Sequence, residues 1–395
     1  MSASTAATPI GIHDLEITTT HHVVDLADLA HSNGTEPAKY RLGLGQDQFS
    51  FPAPDEDIVT MGAAAALPLI ERNGTEGIRT VMFATESGVD QSKAAALFVH
   101  QLLGLPSTCR VVELKQACYS ATAALQAAAD MVARRPDDQV LVIASDVARY
   151  ELETAAEATQ GAGAVAMLVA ADPAIAEIEP TAGVFTAEVD DFWRPNDSAT
   201  AVVDGQLSIF AYRDGVLGAW DDYQARGGVP IDQIDRFCHH QPFTKMAAKA
   251  LRWLASHTGA SLRPPLIEVS TRYNRRLGNS YTASLYFALA AVLDADDDLT
   301  GRRIGMFSYG SGSVSEFFTL LVCEGYRAHT RGAATEELLA ARRPIDIAGY
   351  RALHAAATNL GSGDDVSVPQ ESSGPFHFTG ISGRARQYRA DAPRP

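Results

Sequence analysis

The sequence has 395 residues, 46% of them hydrophobic and 20% charged, and a formal net charge of −16. This acidic balance excludes nonspecific nucleic-acid binding, which needs a basic surface. No apolar run reaches the roughly 18 residues that span a membrane, and the start, "MSASTAATPIGIHD", lacks the features of a signal peptide. We therefore expect a cytoplasmic protein without membrane or nucleic-acid partners, with two domains or two halves of one α/β unit.

The cysteines are widely spread, and no close pair has the spacing of metal ligands. This usage is typical of free thiols in a reducing compartment rather than of a disulfide scaffold. No Walker phosphate loop or complete dinucleotide fingerprint is visible, so no metal and no cofactor are expected. The four cysteines are Cys109, Cys118, Cys238 and Cys323.

Strand and helix patterns alternate through the first part of the chain, which predicts an α/β fold with a parallel or mixed sheet. "DEDIVTMGAAAALPLIERNG" has helical spacing, acidic residues at its start and a closing glycine. After about Asp172 the alternation of strands and helices stops, and the sequence predicts a loop followed by a helix. Further predicted strands are "IRTVMFATES", "CRVVELKQA", "QVLVIASDVA" and "GAVAMLVAAD", and "DQSKAAALFVHQLLGL" and "YSATAALQAAADMVARR" are predicted helices.

The second part of the chain again alternates predicted strands and helices. "FTKMAAKALRWLASH" and "GNSYTASLYFALAAVLD" are predicted helices, and the predicted strands are "IDRFCHHQ", "RIGMFSYGSGS" and "VSEFFTLLV". From about Gly361 we expect a surface loop, followed by a final segment that docks through "PFHFTGI".

Chemically useful side chains occur where predicted strands end, which is where open α/β sheets place their sites. In "FATES", Glu86 lies at the end of a hydrophobic strand, and partial burial there would raise its pKa and suit a general base. Capping of the next helix explains Glu86 equally well. Adjacent histidines end "RFCHH", and because strand side chains alternate, at most one of them should face a site. The turn around Ser311, between Gly310 and Gly312, can aim N–H groups at an oxyanion, although ordinary tight turns look the same.

Cys118 occurs where a strand gives way to a helix. Unpaired N–H groups and the positive end of a helix dipole favour a thiolate at such a position, which would make Cys118 reactive. The alternative is that Cys118 is a small buried hydrophobe, the usual role of a free cysteine. A cysteine, a glutamate and a histidine at equivalent strand ends strengthen the catalytic interpretation of all three.

Specific motifs along nearly the whole chain resemble the 3-hydroxy-3-methylglutaryl-CoA synthase family of bacterial mevalonate type. They include "KYRLGLGQ", "ATES", "ELKQACY", "SDVARYE", "EATQGAGAVAM", "DFWRP", "HHQPFTKMAAKA", "GNSYTASLY" and "FSYGSGSVSEFF". The resemblance implies a thiolase fold in αβαβα layers, with two similar halves that each contain a mixed five-stranded sheet covered by helices. The halves would be residues 1–172 and 173–395, and the protein would form a homodimer.

The resemblance also implies roles for individual residues. Cys118 would be the nucleophile that becomes acetylated, Glu86 the acid/base, and His240, rather than His239, the catalytic histidine. Positions that match substrate or coenzyme A contacts are Asn279, Ser311, Gly310, Tyr150, Thr159, Ser208, Lys245 and Lys249, the two lysines being associated with coenzyme A phosphates. Acetyl-CoA and acetoacetyl-CoA would be the substrates, with no cofactor.

The alternative function is a β-branching synthase of a polyketide pathway, which acts on groups carried by acyl carrier proteins. This chain keeps "TKM" after the histidine and "YTASLY", which favours free coenzyme A thioesters. Arg272, Arg275 and Arg276 lie near Asn279 and make this region unexpectedly basic. We expect these arginines to bind coenzyme A phosphates or an acidic carrier protein.

Overall fold

The computed structural model describes residues 8–261, 265–295, 297–358 and 365–391. The helices are α1 (Leu26–Ser32), α2 (Ile58–Asn73), α3 (Ala95–Leu102), α4 (Ser120–Arg134), α5 (Gly205–Ala225), α6 (Met246–Thr258), α7 (Pro265–Glu268), α8 (Asn274–Leu277), α9 (Ser284–Leu293), α10 (Gly332–Ala340) and α11 (Ile347–Thr358). The strands are β1 (Ile10–Thr19), β2 (His22–Asp25), β3 (Gln48–Phe51), β4 (Ile78–Ala84), β5 (Arg110–Leu114), β6 (Gln139–Ala148), β7 (Gly161–Ala171), β8 (Ala176–Thr186), β9 (Phe192–Trp193), β10 (Val202–Val203), β11 (Arg236–His239), β12 (Arg303–Gly310), β13 (Val314–Val322), β14 (Arg343–Pro344), β15 (Val366–Ser367), β16 (Phe376–Ser382) and β17 (Ala385–Ala390).

The main sheet is mixed and has the strand order β11-β12-β13-β8-β1-β7-β6-β4-β5. The part of the chain before Asp172 supplies five of these strands, and the later part supplies four. The two sets meet at β1 and β8, which share only two paired positions. The expected mixed α/β architecture is therefore confirmed, with five strands of the main sheet from the first part and four among the described residues of the second.

Between α6 and α9, the described residues form α7, α8 and two 3-10 turns.

Packing of the helices produces the predicted layers. α4 and α9 share one core cluster with strands of both halves, so they form the central layer. α2 and α3 cover the outer face of the first half, and α5 and α6 cover the outer face of the second. Every residue of α9 is buried, as expected of a helix that is apolar all round and enclosed on all sides.

β8 is a long strand that the sequence analysis missed, because its alternation is weak and it contains Pro180. It pairs with β13 and touches β1, so it joins the two parts of the sheet. The register between β13 and β8 shifts between Phe318 and Leu320, opposite the proline. Proline is tolerated inside a sheet at such an irregularity, because the local ladder is already interrupted.

The C-terminal segment docks through β16, as predicted. His377 is fully buried, and its Nδ1 lies 2.9 Å from the Asp55 carboxylate while its Nε2 lies 2.9 Å from Asp391. Ser372 donates its hydroxyl to the same Asp55 carboxylate at 2.8 Å. Of the predicted surface loop, residues 361–364 lie outside the described residues, and most of residues 365–374 are exposed.

Hydrogen bonding at Asp55 makes a pH-dependent contribution to stability. Burial alone would raise the pKa of the Asp55 carboxyl, but hydrogen bonds from His377 and Ser372 hold it below 3.8. A depressed folded-state pKa stabilises the fold above the unfolded-state value, and the contribution is lost as the pH falls through the folded-state value.

We expect Asp55→Asn to lower the free energy of unfolding by about 3 kcal/mol at pH 7, because it leaves a buried pair broken. The gap from wild type should narrow as the pH falls below 3.8. Urea unfolding between pH 3 and pH 7 measures both effects, with the exposed Asp137→Asn as the matched control. Equal stability of the two variants would contradict this role for Asp55.

Candidate active site

The segment that carries Cys118 is held closely against the end of β12. Cys118 lies between β5 and α4 and is 8% exposed. A Cβ atom added at Gly310 would lie 2.6 Å from the Gln116 carbonyl oxygen and 2.7 Å from the Tyr119 nitrogen. Gln116 also donates from Nε2 to the Ser311 carbonyl at 3.1 Å. Only glycine fits at position 310, and its close approach fixes the backbone on both sides of the thiol.

The backbone immediately before the thiol adopts an unusual conformation. Ala117 has a φ angle of +42°, in the left-handed region that a residue with a Cβ atom adopts rarely. Such conformations persist only where the surroundings enforce them, and they are concentrated at functional sites. The contact with Gly310 supplies that constraint here.

The surroundings of Cys118 oppose the thiolate that a helix start favours. Burial raises the pKa of the Cys118 thiol well above 9.0, and the nearby carboxylates of Glu86, Asp146 and Asp191 raise it further. The first residue of α4 is Ser120, so Cys118 precedes the helix. A helix N-terminus favours a thiolate locally, but burial outweighs it. The resting thiol is therefore protonated at neutral pH.

Glu86 follows β4 and points its carboxyl group into the same buried region. Its Oε2 atom is buried and has no hydrogen-bond partner among the described residues. Burial and then the charge of Asp146 raise the pKa of Glu86 to about 8, against the opposing effect of Arg194. The capping alternative is excluded, because α3 begins at Ala95, whose N–H donates to Glu113 instead.

Asp146 holds the Glu86 loop in place, and the sequence analysis assigned it no role. It is fully buried, and its Oδ1 accepts from the Glu86 N–H at 2.8 Å, as well as from the Ser87 N–H and hydroxyl and the Thr85 hydroxyl. Its Oδ2 accepts from the Thr282 N–H at 3.1 Å. Burial raises its pKa to about 6. The motif "SDVARYE" could have indicated this role, because it places an acidic residue near the end of an apolar strand.

The two adjacent histidines have different surroundings, as strand alternation predicts. The ring of His239 stacks near Phe237 and Phe307, in the core beneath α5 and α6. The carbonyl of His240 accepts from the Tyr212 hydroxyl at 2.7 Å. Burial, and then the charge of Cys118, raise the pKa of Tyr212, which is therefore near the thiol. Burial lowers the pKa of His240 to about 3, so its imidazole is neutral.

Tyr150, Thr159 and Asn279 come together on one side of Cys118. Cys118 packs in a small cluster with Tyr150 and Tyr281. Asn279 donates from Nδ2 to the Tyr150 hydroxyl at 3.2 Å, and its N–H donates to the Thr159 carbonyl at 3.1 Å. Tyr150 therefore packs beside the thiol, Asn279 is hydrogen-bonded to Tyr150, and the Thr159 backbone is hydrogen-bonded to Asn279.

The Ser311 turn is anchored by a second buried acid that the sequence analysis did not identify. Asp191 is fully buried, and it accepts from the Tyr309 hydroxyl at 2.7 Å and from the Gly312 N–H at 2.9 Å. Asp191 is the first residue of the motif "DFWRP", which the sequence analysis noted without assigning a role to this acid. The carboxylate fixes the turn next to the Gln116 segment.

The two lysines predicted to contact coenzyme A lie at the start of α6. Lys245 donates from Nζ to the Leu42 carbonyl at 2.7 Å, and Lys249 Nζ lies 5.0 Å from the centre of the Phe243 ring. Burial, then Arg252 and Lys245, lower the pKa of Lys249, so the three cations form a local basic cluster. Ser208 lies in the first turn of α5, and its side chain makes no hydrogen bond to the Cys118 cluster within the described residues.

The arginines near Asn279 are engaged in ion pairs, and their binding of coenzyme A phosphates or an acidic carrier protein stays a prediction. Arg272 and Arg276 each lie 2.6 Å from an oxygen of Glu336, and Arg275 lies 2.6 Å from Asp47. These ion pairs connect the region of α8 to Glu336 in α10 and to Asp47, which precedes β3.

One group of side chains has the donor set of a metal site. Ligand atoms of His21, His22 and Glu371 lie within 4.8 Å of one another. His22 Nε2 already lies 2.7 Å from Glu371, so a hydrogen bond accounts for that contact. The group joins β2 to the C-terminal segment and contains none of the predicted site residues. Within the described residues, no helix is both long and apolar enough to cross a bilayer.

Comparison with known proteins identifies the family. Residues 7–174 match the sequence profile of the hydroxymethylglutaryl-coenzyme A synthase N terminal region, and residues 265–342 match that of the C terminal region. The chain is 39% identical over 384 residues to hydroxymethylglutaryl-CoA synthase of Enterococcus faecalis, covering 96% of this chain and 99% of that protein. The chain therefore belongs to the hydroxymethylglutaryl-CoA synthase family of acyl-transferring condensing enzymes.

Two further relatives define the comparison. A crystal structure of an HMG-CoA synthase complexed with CoA superposes with a TM-score of 0.92 at 36% identity, covering 97% of this chain and all of that one. The polyketide biosynthesis 3-hydroxy-3-methylglutaryl-ACP synthase of Bacillus subtilis is 33% identical, with 84% of each chain covered. The bacterial mevalonate type thus matches at higher identity and over more of the chain.

The raised thiol pKa gives a direct test of the site's electrostatics. We expect iodoacetamide to alkylate Cys118 slowly at pH 8 and faster above pH 9, because only the thiolate reacts. At pH 9, Glu86→Gln should accelerate alkylation about threefold to tenfold, since it removes a nearby negative charge. Peptide mass spectrometry measures the rate, with Cys323 as the internal control. An unchanged Cys118 rate would contradict the coupling to Glu86.

Proposed function

We propose that the protein condenses acetyl-CoA with acetoacetyl-CoA and water, giving 3-hydroxy-3-methylglutaryl-CoA and coenzyme A for isoprenoid synthesis through mevalonate. The observation that supports this is the packing of the Cys118 thiol against Tyr150, which is hydrogen-bonded to Asn279, together with the nearby carboxyl group of Glu86, whose buried Oε2 has no partner among the described residues. Residues 1–172 would supply Cys118 and Glu86, and residues 173–395 would supply His240, Asn279 and Ser311.

In the first step Cys118 accepts the acetyl group. Its sulfur attacks the thioester carbonyl, the bond to the coenzyme A sulfur breaks, and the thiol proton leaves with coenzyme A. Exchange between two thioesters is nearly isoenergetic, so the protein has only to stabilise the tetrahedral oxyanion. The N–H groups of Cys118 and Ser311 are the proposed donors, since the Gly310 contact holds these two segments together.

In the second step the Glu86 carboxylate removes a proton from the acetyl methyl group. The resulting enolate carbon attacks the ketone carbonyl of acetoacetyl-CoA. The imidazole of His240, neutral because its pKa is lowered to about 3, donates a hydrogen bond to the new alkoxide. The proton taken up by Glu86 balances the proton that the alkoxide gains, so the carboxylate is restored.

In the third step water hydrolyses the thioester on Cys118. Glu86 accepts a proton from the attacking water and passes it to the departing sulfur, which regenerates the thiol. The basic cluster of Lys245, Lys249 and Arg252 lies where coenzyme A phosphates would bind. It offers cations to an anionic substrate in an otherwise acidic protein.

We also propose that the protein is a cytoplasmic homodimer. All four cysteines are free, in keeping with a reducing compartment. β5 lies at the edge of the main sheet with Val112 exposed, and an uncovered edge strand is suited to pairing with a second copy of the chain. The resemblance to dimeric relatives supports the same assembly.

The first test follows the acetyl group through the reaction. The protein is incubated with acetyl-CoA, the adduct on Cys118 is measured by mass spectrometry, and acetoacetyl-CoA is then added. We expect one acetyl group per chain, followed by stoichiometric release as product, and no adduct with Cys118→Ser. An adduct that condenses only with a carrier-bound acetoacetyl group would favour the polyketide alternative. The absence of any adduct would refute the mechanism.

Glu86 should be required for condensation but not for acetylation, because only the enolate step needs a base. We expect Glu86→Ala to form the adduct and to lose at least 1000-fold in condensation, roughly the effect of general-base catalysis. Since the pKa of Glu86 is about 8, the wild-type condensation rate should rise about tenfold per pH unit up to pH 8 and then level off. Stopped reactions between pH 6 and pH 9 measure the profile. Condensation by Glu86→Ala at the wild-type rate would refute this role.

The two histidines should differ in their effects. His240→Ala is expected to reduce condensation with acetoacetyl-CoA more than acetylation, because the alkoxide forms on the acetoacetyl group. His239→Ala, the matched control, should have a mild effect on both, since its ring packs against Phe237 and Phe307. Separate rates of acetylation and condensation are measured for each variant. The reverse ranking would show that the other histidine is catalytic.

A further inference from the structure

A cavity of about 440 Å³ lies behind the proposed active site, on the opposite face of β6. Residues alternate along this strand: Ala148 packs with Cys118, whereas Val147 and Arg149 line the cavity. Ser87, next to Glu86, also lines it, and Tyr281 both lines the cavity and packs in the cluster that contains Cys118. This volume is within the range of about 300–1,000 Å³ that is usual for small-molecule sites.

Three arginines line the cavity. Arg149 is the most enclosed, and its Nε atom is buried without a hydrogen-bond partner among the described residues. Arg194 donates from Nη2 to the Glu86 carbonyl, which is uncharged, at 2.7 Å. Arg386 lies 3.3 Å from the Asp57 carboxylate. Burial, followed by repulsion from Arg194, lowers the pKa of Arg149 to about 10, which still leaves it charged at neutral pH.

The acidic residues of the cavity do not neutralise this positive charge. Asp57 is already committed, because it caps α2 and accepts from the Tyr388 hydroxyl at 2.6 Å as well as pairing with Arg386. Glu56 accepts from two backbone N–H groups, yet burial raises its pKa to about 8, so it is uncharged at neutral pH. Within the described residues, Arg149 and Arg194 therefore face the cavity without an ion-pair partner.

The remaining walls are apolar. They carry aromatic and branched side chains contributed by β3, α2, the Glu86 loop, β6 and the C-terminal segment. These residues are Phe51, Ile58, Val89, Val147, Val368 and Phe378. The cavity thus combines a cationic region with a hydrophobic remainder, which suits a ligand with one charged end and an apolar body.

We propose that this cavity binds a monocarboxylate with a short apolar chain, the carboxylate lying on Arg149 and Arg194. A carboxylate matches the planar donors of guanidinium groups. Arg194 is exposed, whereas Arg149 is half-buried with its Nε fully covered, so enclosure strengthens mainly the charge-assisted hydrogen bonds of Arg149. The chain would cover the apolar walls. This site is separate from the pocket that contains Cys118, and it goes beyond the proposed function.

The test is calorimetric titration of the full-length protein with hexanoate. We expect saturable binding of one hexanoate per chain, with 1-hexanol, acetate and inorganic phosphate each binding at least tenfold more weakly. Arg149→Gln should raise the Kd for hexanoate at least tenfold, whereas the exposed Arg226→Gln should leave it unchanged. Ser367→Trp blocks the cavity without removing a buried charge, and it should also abolish binding if Arg149→Gln fails to fold.

Three results would overturn the proposal. One is the absence of saturable hexanoate binding. Another is binding that survives both Arg149→Gln and Ser367→Trp but is lost when Cys118 is alkylated, which would place the ligand in the other pocket. The third is tighter binding of phosphate than of hexanoate, which would refute the ligand class. None of these results depends on acetylation of Cys118, so the proposed function is tested separately.

Discussion

The buried Asp146 carboxylate is the interaction on which the site depends. It gathers donors from the loop after β4 and from the turn before α9, so it joins two segments that are distant in sequence. Without it, the Glu86 N–H would be left without this acceptor, and the carboxyl of Glu86 would lose its fixed orientation. Asp191 does the same for the Ser311 turn. Two buried acids that take no direct part in the proposed chemistry thus position the groups that do.

Burial away from water determines the resting charge of the proposed catalytic residues. Burial raises the pKa of the Cys118 thiol and the Glu86 carboxyl, and it lowers the pKa of the His240 imidazole. All three groups are consequently neutral in their resting state near neutral pH. Charge develops on them only as the thioester, enolate and alkoxide form. A site arranged in this way avoids holding an isolated ion in a low-dielectric environment between turnovers.

Local patterns predicted most elements, because caps, periodicity and buried strands act over a few residues. α2 has the acidic cap and the closing glycine that its sequence indicated. β8 was missed because Pro180 and weak alternation conceal a strand that is stabilised by its neighbours. The charge state of Cys118 is hidden for a similar reason: the helix start is visible in the sequence, but burial and nearby carboxylates are not. Likewise, the pairing of Arg275 with Asp47 joins residues far apart in the chain.

The close approach of Gly310 to the Gln116–Tyr119 segment has a consequence for how this site can change. Gly310 has no side chain that could be made smaller to make room for a larger Gln116–Tyr119 segment. A bulkier or shifted loop around the thiol would need a compensating displacement of β12, which is held by its pairing with β13. Sequence changes in the Gln116–Tyr119 segment therefore require matching changes in β12, which belongs to the second half of the chain.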